Sequence, residues 1–66
     1  MAGIGEQLKA NLGKWVHVNT ADGRSTRLRP LAVDQEGCTC RVADHPDYDE
    51  AETYWWSFDE IIEVVS

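Results

Sequence analysis

The stretch Tyr54-Trp55-Trp56-Ser57-Phe58-Asp59-Glu60-Ile61-Ile62-Glu63-Val64-Val65-Ser66 holds the densest apolar surface of the chain, and any fold must hide most of it. On a strand, side chains on one face recur every second residue. Tyr54, Trp56 and Phe58 then share one face, and Trp55 and Ser57 the other. Asp59 and Glu60 interrupt the run at a turn. Beyond it, Ile62 and Val64 are expected inside, with Ile61, Glu63 and Val65 outside. Burying a large aromatic side chain contributes roughly 2 to 3 kcal/mol, so this stretch reads as strand, tight turn, strand, closing a small core.

A chain of 66 residues makes one domain, and at that size only about 60% of the unfolded surface is buried. Domains so small usually rely on a disulfide, a metal or association with another copy. Cys38 and Cys40 are a poor disulfide pair, because one intervening residue closes almost no loop. They read as reduced, half-buried thiols of a cytoplasmic protein, and no secretory leader, membrane-spanning run or lipidation motif is apparent.

The net charge of −6 argues against generic binding to nucleic acid or an anionic membrane, since both require phosphates to be neutralised. The charge is also lopsided. Residues 1–33 carry Lys9, Lys14, Arg24, Arg27 and Arg29 against Glu6 and Asp22, a balance of +3. Residues 34–66 set Arg41 against ten acids, a balance of −9.

In chain order, Ile4, Leu8 and Leu12 form the stripe of a short amphipathic helix over 4–12, ended by Gly13 in a left-handed conformation. Both leucines are expected to plug the core. A strand over 15–20 places Val16 and Val18 inward. Asp22-Gly23 then predicts a two-residue type I′ hairpin. The strand over 25–34 has Thr26 and Leu28 inward and Arg27 and Arg29 outward. Its parity changes at Pro30, so that Leu31 and Val33 turn inward through a bulge. After a turn at Asp34-Gln35-Glu36-Gly37, the strand over 38–43 directs Cys38, Cys40 and Val42 inward, with Thr39 and Arg41 outward. Asp44 to Glu52 carries five acids and no base, which predicts a hydrated, mobile loop. Strands over 53–58 and 61–65 complete the chain.

This order resembles the Sm-like and SH3-like small barrels, the group of the Hfq-type RNA-binding domains. The likeness rests on Val16-His17-Val18, Asp22-Gly23-Arg24, Leu31-Ala32-Val33-Asp34 and Phe58-Asp59-Glu60-Ile61-Ile62-Glu63-Val64-Val65. The last segment is also similar to YolD-like barrels. The resemblance implies a mainly β fold: a strongly bent five-stranded barrel with a short N-terminal helix. It also implies a subunit edge in which the fourth strand of one copy pairs with the fifth of the next. Two features depart from the Hfq pattern: Arg29-Pro30 stands where the bent strand usually has Gly, and Phe58-Asp59 stands where that group holds RNA with Lys-His. Its RNA site is therefore not carried over.

No catalytic constellation is readable, because neither His17 nor His45 has a neighbour that marks a nucleophile pair. Cys38, Cys40 and His45 with Asp44 or Asp47 could be imagined around zinc. However, C-x-C is not the usual knuckle, and the parity sends both thiols inward. No cofactor or metal is expected. The suggestive polar group is Arg24, Arg27 and Arg29 beside Trp15 and Trp55, an interaction surface for a protein partner or a second copy. Trp55, outward on its strand, needs cover from the N-terminal helix or from a partner. A small regulator binding RNA or single-stranded DNA through the same arginines is the alternative.

Overall fold

The structure is a computed structural model and describes residues 3–65; Ser66 lies outside the described residues. A helix α1 (Ile4–Lys9) precedes five strands, β1 (Val16–Thr20), β2 (Ser25–Val33), β3 (Gly37–Ala43), β4 (Tyr54–Ser57) and β5 (Ile61–Val64). A single 3₁₀ turn, Phe58–Glu60, separates the last two strands.

The helix is shorter than its apolar stripe predicts, and Asn11 is the reason. Its side-chain Nδ2 donates to the Gln7 carbonyl at 2.8 Å, while its backbone N–H donates to Leu8 O, a tighter three-residue step. An asparagine that bonds the backbone in this way competes with the α-helical ladder. The change of pitch turns Leu12 outward, 46% exposed, whereas Leu8 is completely buried. Gly13 adopts the expected left-handed conformation at φ 77°, and its N–H reaches Pro30 O at 2.7 Å.

All five strands form one antiparallel sheet in the order β4-β3-β2-β1-β5. It is not closed into a barrel: β4 and β5 lie at opposite edges rather than pairing with each other. Two hydrogen bonds fix how the chain passes from one edge strand to the other. Phe58 N–H donates to Glu36 O, holding the end of β4 at the β2–β3 turn. Ala21 N–H donates to Glu60 O, holding the start of β5 at the β1–β2 hairpin. The 3₁₀ turn thus carries the chain across the mouth of the sheet, with Ser57 Oγ capping it by accepting from Asp59 N–H.

The β1–β2 connection is not a type I′ turn. Gly23 alone takes positive φ, at 86°. The bonds Gly23 N–H to Thr20 O and Thr20 N–H to Arg24 O describe a type I turn followed by a left-handed glycine bulge. In β2 the expected bulge is present, with the register slipping between Pro30 and Ala32. Leu31 is the extra residue and points out, 39% exposed, contrary to the inward placement expected, while Val33 does pack on the core. A second slip, between Asn19 and Thr20 on β1, sets Thr20 opposite Ile61 and Asn19 opposite Glu63. Ile62 therefore bulges outward at 66% exposure, and Ile61 takes the core position at 4%. Alternation alone had reversed these two residues, because an extra residue in one strand inverts parity on one side of it.

The core is Leu8, Val16, Val18, Leu28, Cys38, Cys40, Val42, Trp56 and Ile61, with Tyr48, Tyr54 and Phe58 packed against it. The helix packs on β2 and β5, placing Leu8 among the buried strand residues, so one face of the sheet holds the entire core. No helix among the described residues is long and apolar enough to cross a membrane.

Candidate functional site

The outer face of the sheet carries the arginines. His17 on β1 stands opposite Arg27 on β2, and Arg29 stands opposite Arg41 on β3. Arg27 is held on two sides: its Nε donates to Asp44 Oδ2 at 2.7 Å, and its guanidinium carbon lies 5.6 Å from the Trp15 ring centre. Asp44 reaches it because this residue closes β3 in a left-handed conformation, φ 62°, which Asp tolerates better than most side chains. The hydrogen bond from Arg27 holds the Asp44 carboxyl below its ordinary pKa. Arg29 Nε donates to Gly13 O at 2.9 Å. The Arg41 side chain has no hydrogen bond or ion pair among the described residues, and it faces another arginine. Its outward placement was legible from alternation; its juxtaposition with Arg29 needed the register across the bulge.

The structure does not gather all five expected residues into one patch. Arg24 belongs to the hairpin, its Nε 3.6 Å from Asp22 Oδ2. Trp55 lies at the other end of the sheet, 50% exposed, and α1 does not cover it. Its Nε1 donates to Asp34 Oδ2 at 3.0 Å, and its ring leans over Gly37, so a shallow hollow forms from Asp34, Gln35, Glu36 and Trp55. Asp34 also accepts from the backbone N–H groups of Glu36 and Gly37. The Trp55 bond and these two amides hold its carboxyl below the ordinary 3.8. Such a group adds stability that is fully present above its unfolded pKa and is lost as pH falls through the lower folded value. Wild type should therefore exceed Asp34→Asn in chemical-denaturation stability above about pH 4, and the gap should close in more acidic solution. A pH-independent gap would show that the carboxylate charge is not what holds Trp55.

A second feature escaped the sequence reading. Thr20, Ala21, Asp22, His45, Tyr48, Trp56 and Glu60 line a cavity of about 190 Å³ beneath the hairpin. The acidic loop forms one wall through His45 and Tyr48, while its acids Asp44, Asp47, Asp49, Glu50 and Glu52 are exposed, as its charge predicts. Tyr48 packs edge-on against His45 and Tyr54, each at 4.8 Å, and against Trp56 at 5.4 Å. Asp49 N–H donates to Tyr54 Oη at 2.9 Å. The signal in the sequence was the pair His45 and Tyr48 inside an otherwise acidic run, outweighed there by its charge.

For chemistry, His45 is nearly enclosed, its side chain 5% exposed, with Nε2 3.8 Å from Asp22 Oδ2. Neither histidine bonds a serine, threonine or cysteine among the described residues. Both thiols are completely buried. Contact with Cys38 and burial push the Cys40 thiol far above its ordinary pKa, which leaves it protonated and unreactive. No group of three or more His, Cys, Asp or Glu side chains is placed to hold a metal ion among the described residues. No protein-family model matches the chain, and no curated protein or solved structure matches it.

Proposed function

We propose that the chain is a non-enzymatic interaction module of the Sm-like or SH3-like type, acting through protein contacts on the outer sheet face, with a second copy as the partner that fits best. The observation that carries this reading is the row of His17, Arg27, Arg29 and Arg41 on the outer face, in which Arg29 and Arg41 are directly opposed and the Arg41 side chain has no partner among the described residues. Like charges facing each other across a strand pair destabilise it, and a bound carboxylate offsets that repulsion. The chain carries the complement itself, in the exposed acids Asp47, Glu50 and Glu52 of the β3–β4 loop. Two further features support the reading. Each edge strand, β4 and β5, has one side without a neighbour in the sheet, an arrangement open to pairing with another chain. The run of one short helix and five antiparallel strands, with a bulge in the second, follows the Sm-like order.

Light scattering across a concentration series tests it. The mass should exceed that of the 7.5 kDa monomer at low salt and fall toward it at about 1 M salt, where the screening length is only about 3 Å. Arg41→Glu should abolish association while leaving fold stability unchanged or raised by about 0.2 to 1 kcal/mol, because it replaces a like pair with an opposite one. A monomer at every concentration in low salt would sink the self-association.

The same row beside the Trp15 ring also favours the nucleic-acid reading, since exposed rings and arginines are what single strands stack on. Affinity for RNA or single-stranded DNA would then fall by about 0.7 log units per log unit of salt for each phosphate contacted. Absence of binding at low salt removes that reading.

A further inference from the structure

We propose that the cavity beneath the β1–β2 hairpin binds the guanidinium of an arginine side chain from a protein partner. This site is separate from the outer face, and its occupancy does not depend on that face.

Its construction begins at the hairpin. The type I turn aims Asp22 back at its own strand, where Oδ1 accepts from Thr20 Oγ1 and from Arg24 N–H. Oδ2 is left over. Its nearest cationic or polar neighbours are Arg24 Nε at 3.6 Å and His45 Nε2 at 3.8 Å, both beyond a hydrogen bond. The bond from Thr20 keeps the carboxyl below its ordinary pKa, so at neutral pH Oδ2 is charged, held by Arg24 only at ion-pair distance and without a side-chain hydrogen bond among the described residues. Glu60, fixed by the bond between its carbonyl and Ala21 N–H, brings a second carboxylate to the same opening.

The walls between these carboxylates are aromatic: His45, Tyr48 and Trp56. His45 Nδ1 accepts from Asp47 N–H at 3.1 Å, which leaves Nε2 as the ring position available for a proton. Trp56 is 3% exposed, and its indole N–H has no partner among the described residues. A buried donor left unmet is costly, and this one lies in the wall of the cavity rather than open to it.

Size and charge select the guest. A cavity of about 150 Å³ already admits a benzene-sized molecule, whereas whole-ligand pockets run from about 300 Å³ upward. The 190 Å³ here therefore suits one side-chain head. Two carboxylates call for a cation, and flat aromatic walls favour a planar one. Guanidinium is planar, stacks on rings and offers paired donors to a carboxylate, whereas ammonium is a compact, strongly hydrated point charge.

The test is a titration of the isotope-labelled chain with acetyl-Gly-Arg-Gly-amide, and with the citrulline and lysine versions, followed by amide and indole NMR. The expected result is saturable shifts at the Trp56 indole N–H and at Asp22, His45 and Tyr48, with citrulline weaker by about tenfold or more because the charge-assisted bonds are lost. Glu60→Gln and Asp22→Asn should each weaken arginine binding by a similar factor, with spectral dispersion showing that both variants remain folded. Glu60 is exposed, so its variant keeps the test open if Asp22→Asn unfolds. Arg41→Glu should leave these shifts unchanged, which separates this site from the outer face. The proposal is overturned if the Trp56 indole does not shift, if citrulline binds as well as arginine, or if lysine binds more tightly.

Discussion

Gly37→Ala should lose about 3 kcal/mol or more of unfolding free energy, the upper end of what overpacking costs. The reason is contact, not conformational freedom. A methyl group at Gly37 would press on the backbone carbonyl of Trp56 and stand 2.6 Å from Trp55 Cζ2. A flexible side chain could yield, but the Trp56 carbonyl is part of the β3–β4 pairing, in which Gly37 faces Ser57 and Cys38 faces Trp56. Strand β4 would have to move as a unit, taking buried Trp56 with it. For a 66-residue chain the entire stability is on the order of 3 to 10 kcal/mol, so the variant sits near the edge of folding. Gly13→Ala supplies the comparison. Gly13 has open space around it but a φ of 77°, and a left-handed non-glycine residue costs only about 1 to 2 kcal/mol. Urea unfolding followed by tryptophan fluorescence would rank the two. A Gly37→Ala loss no larger than that of Gly13→Ala would show that β4 can slide. Since Gly37 also seats the Trp55 ring, the same variant should weaken the Trp55 to Asp34 bond in any form that still folds.

The difference between Gly37 and its neighbours shows which parts of this fold are local. Alternation places Val16, Val18, Thr26, Leu28, Cys38, Cys40, Val42 and Trp56 inward correctly, because each lies in an uninterrupted ladder where period two holds. It fails at Leu31 and at the Ile61-Ile62 pair, both at register slips. Pro30 announced the first slip, since it cannot donate to a ladder; nothing local announces the second, which arises from how β5 meets β1. Closure into a barrel was expected because Tyr54 to Val65 reads as two strands and a tight turn. The turn instead links the two edge strands without pairing them, held by Glu36 at one end and Ala21 at the other, and both partners are distant in sequence. The functional surface divides in the same way. The outward direction of Arg27, Arg29 and Trp55 was readable from parity. The pairing of Arg29 with Arg41, the capture of Trp55 by Asp34 and the cavity around His45 each require two segments to meet. In the β3–β4 loop the charge pattern correctly implies exposed acids, but not the aromatic contacts that pack Tyr48 against the core.

Leu8→Ala and Leu12→Ala, equivalent on the helical stripe, should differ by several kcal/mol. Leu8 is completely buried, among the residues of the single core, and truncating a buried leucine costs about 2 to 5 kcal/mol through lost transfer energy and the cavity left behind. A six-residue helix has no stability of its own, because nucleation is unfavourable and too few bonds follow it. Losing the Leu8 anchor should therefore release α1 from β2 and β5 and expose the underside of Phe58, whose ring lies against Gly5. Leu12 is 46% exposed, beyond the point where Asn11 breaks the helical ladder, and its truncation should change stability by no more than about 0.5 kcal/mol. Replacing Asn11 itself with Ala should favour one more helical turn and draw Leu12 toward the sheet, so that Leu12→Ala becomes costlier in the Asn11→Ala background than in wild type. Thermal unfolding of the four proteins, read as a double-mutant cycle, measures that coupling. Additive effects at Asn11 and Leu12 would mean that something other than the Asn11 bond to Gln7 ends the helix at Lys9.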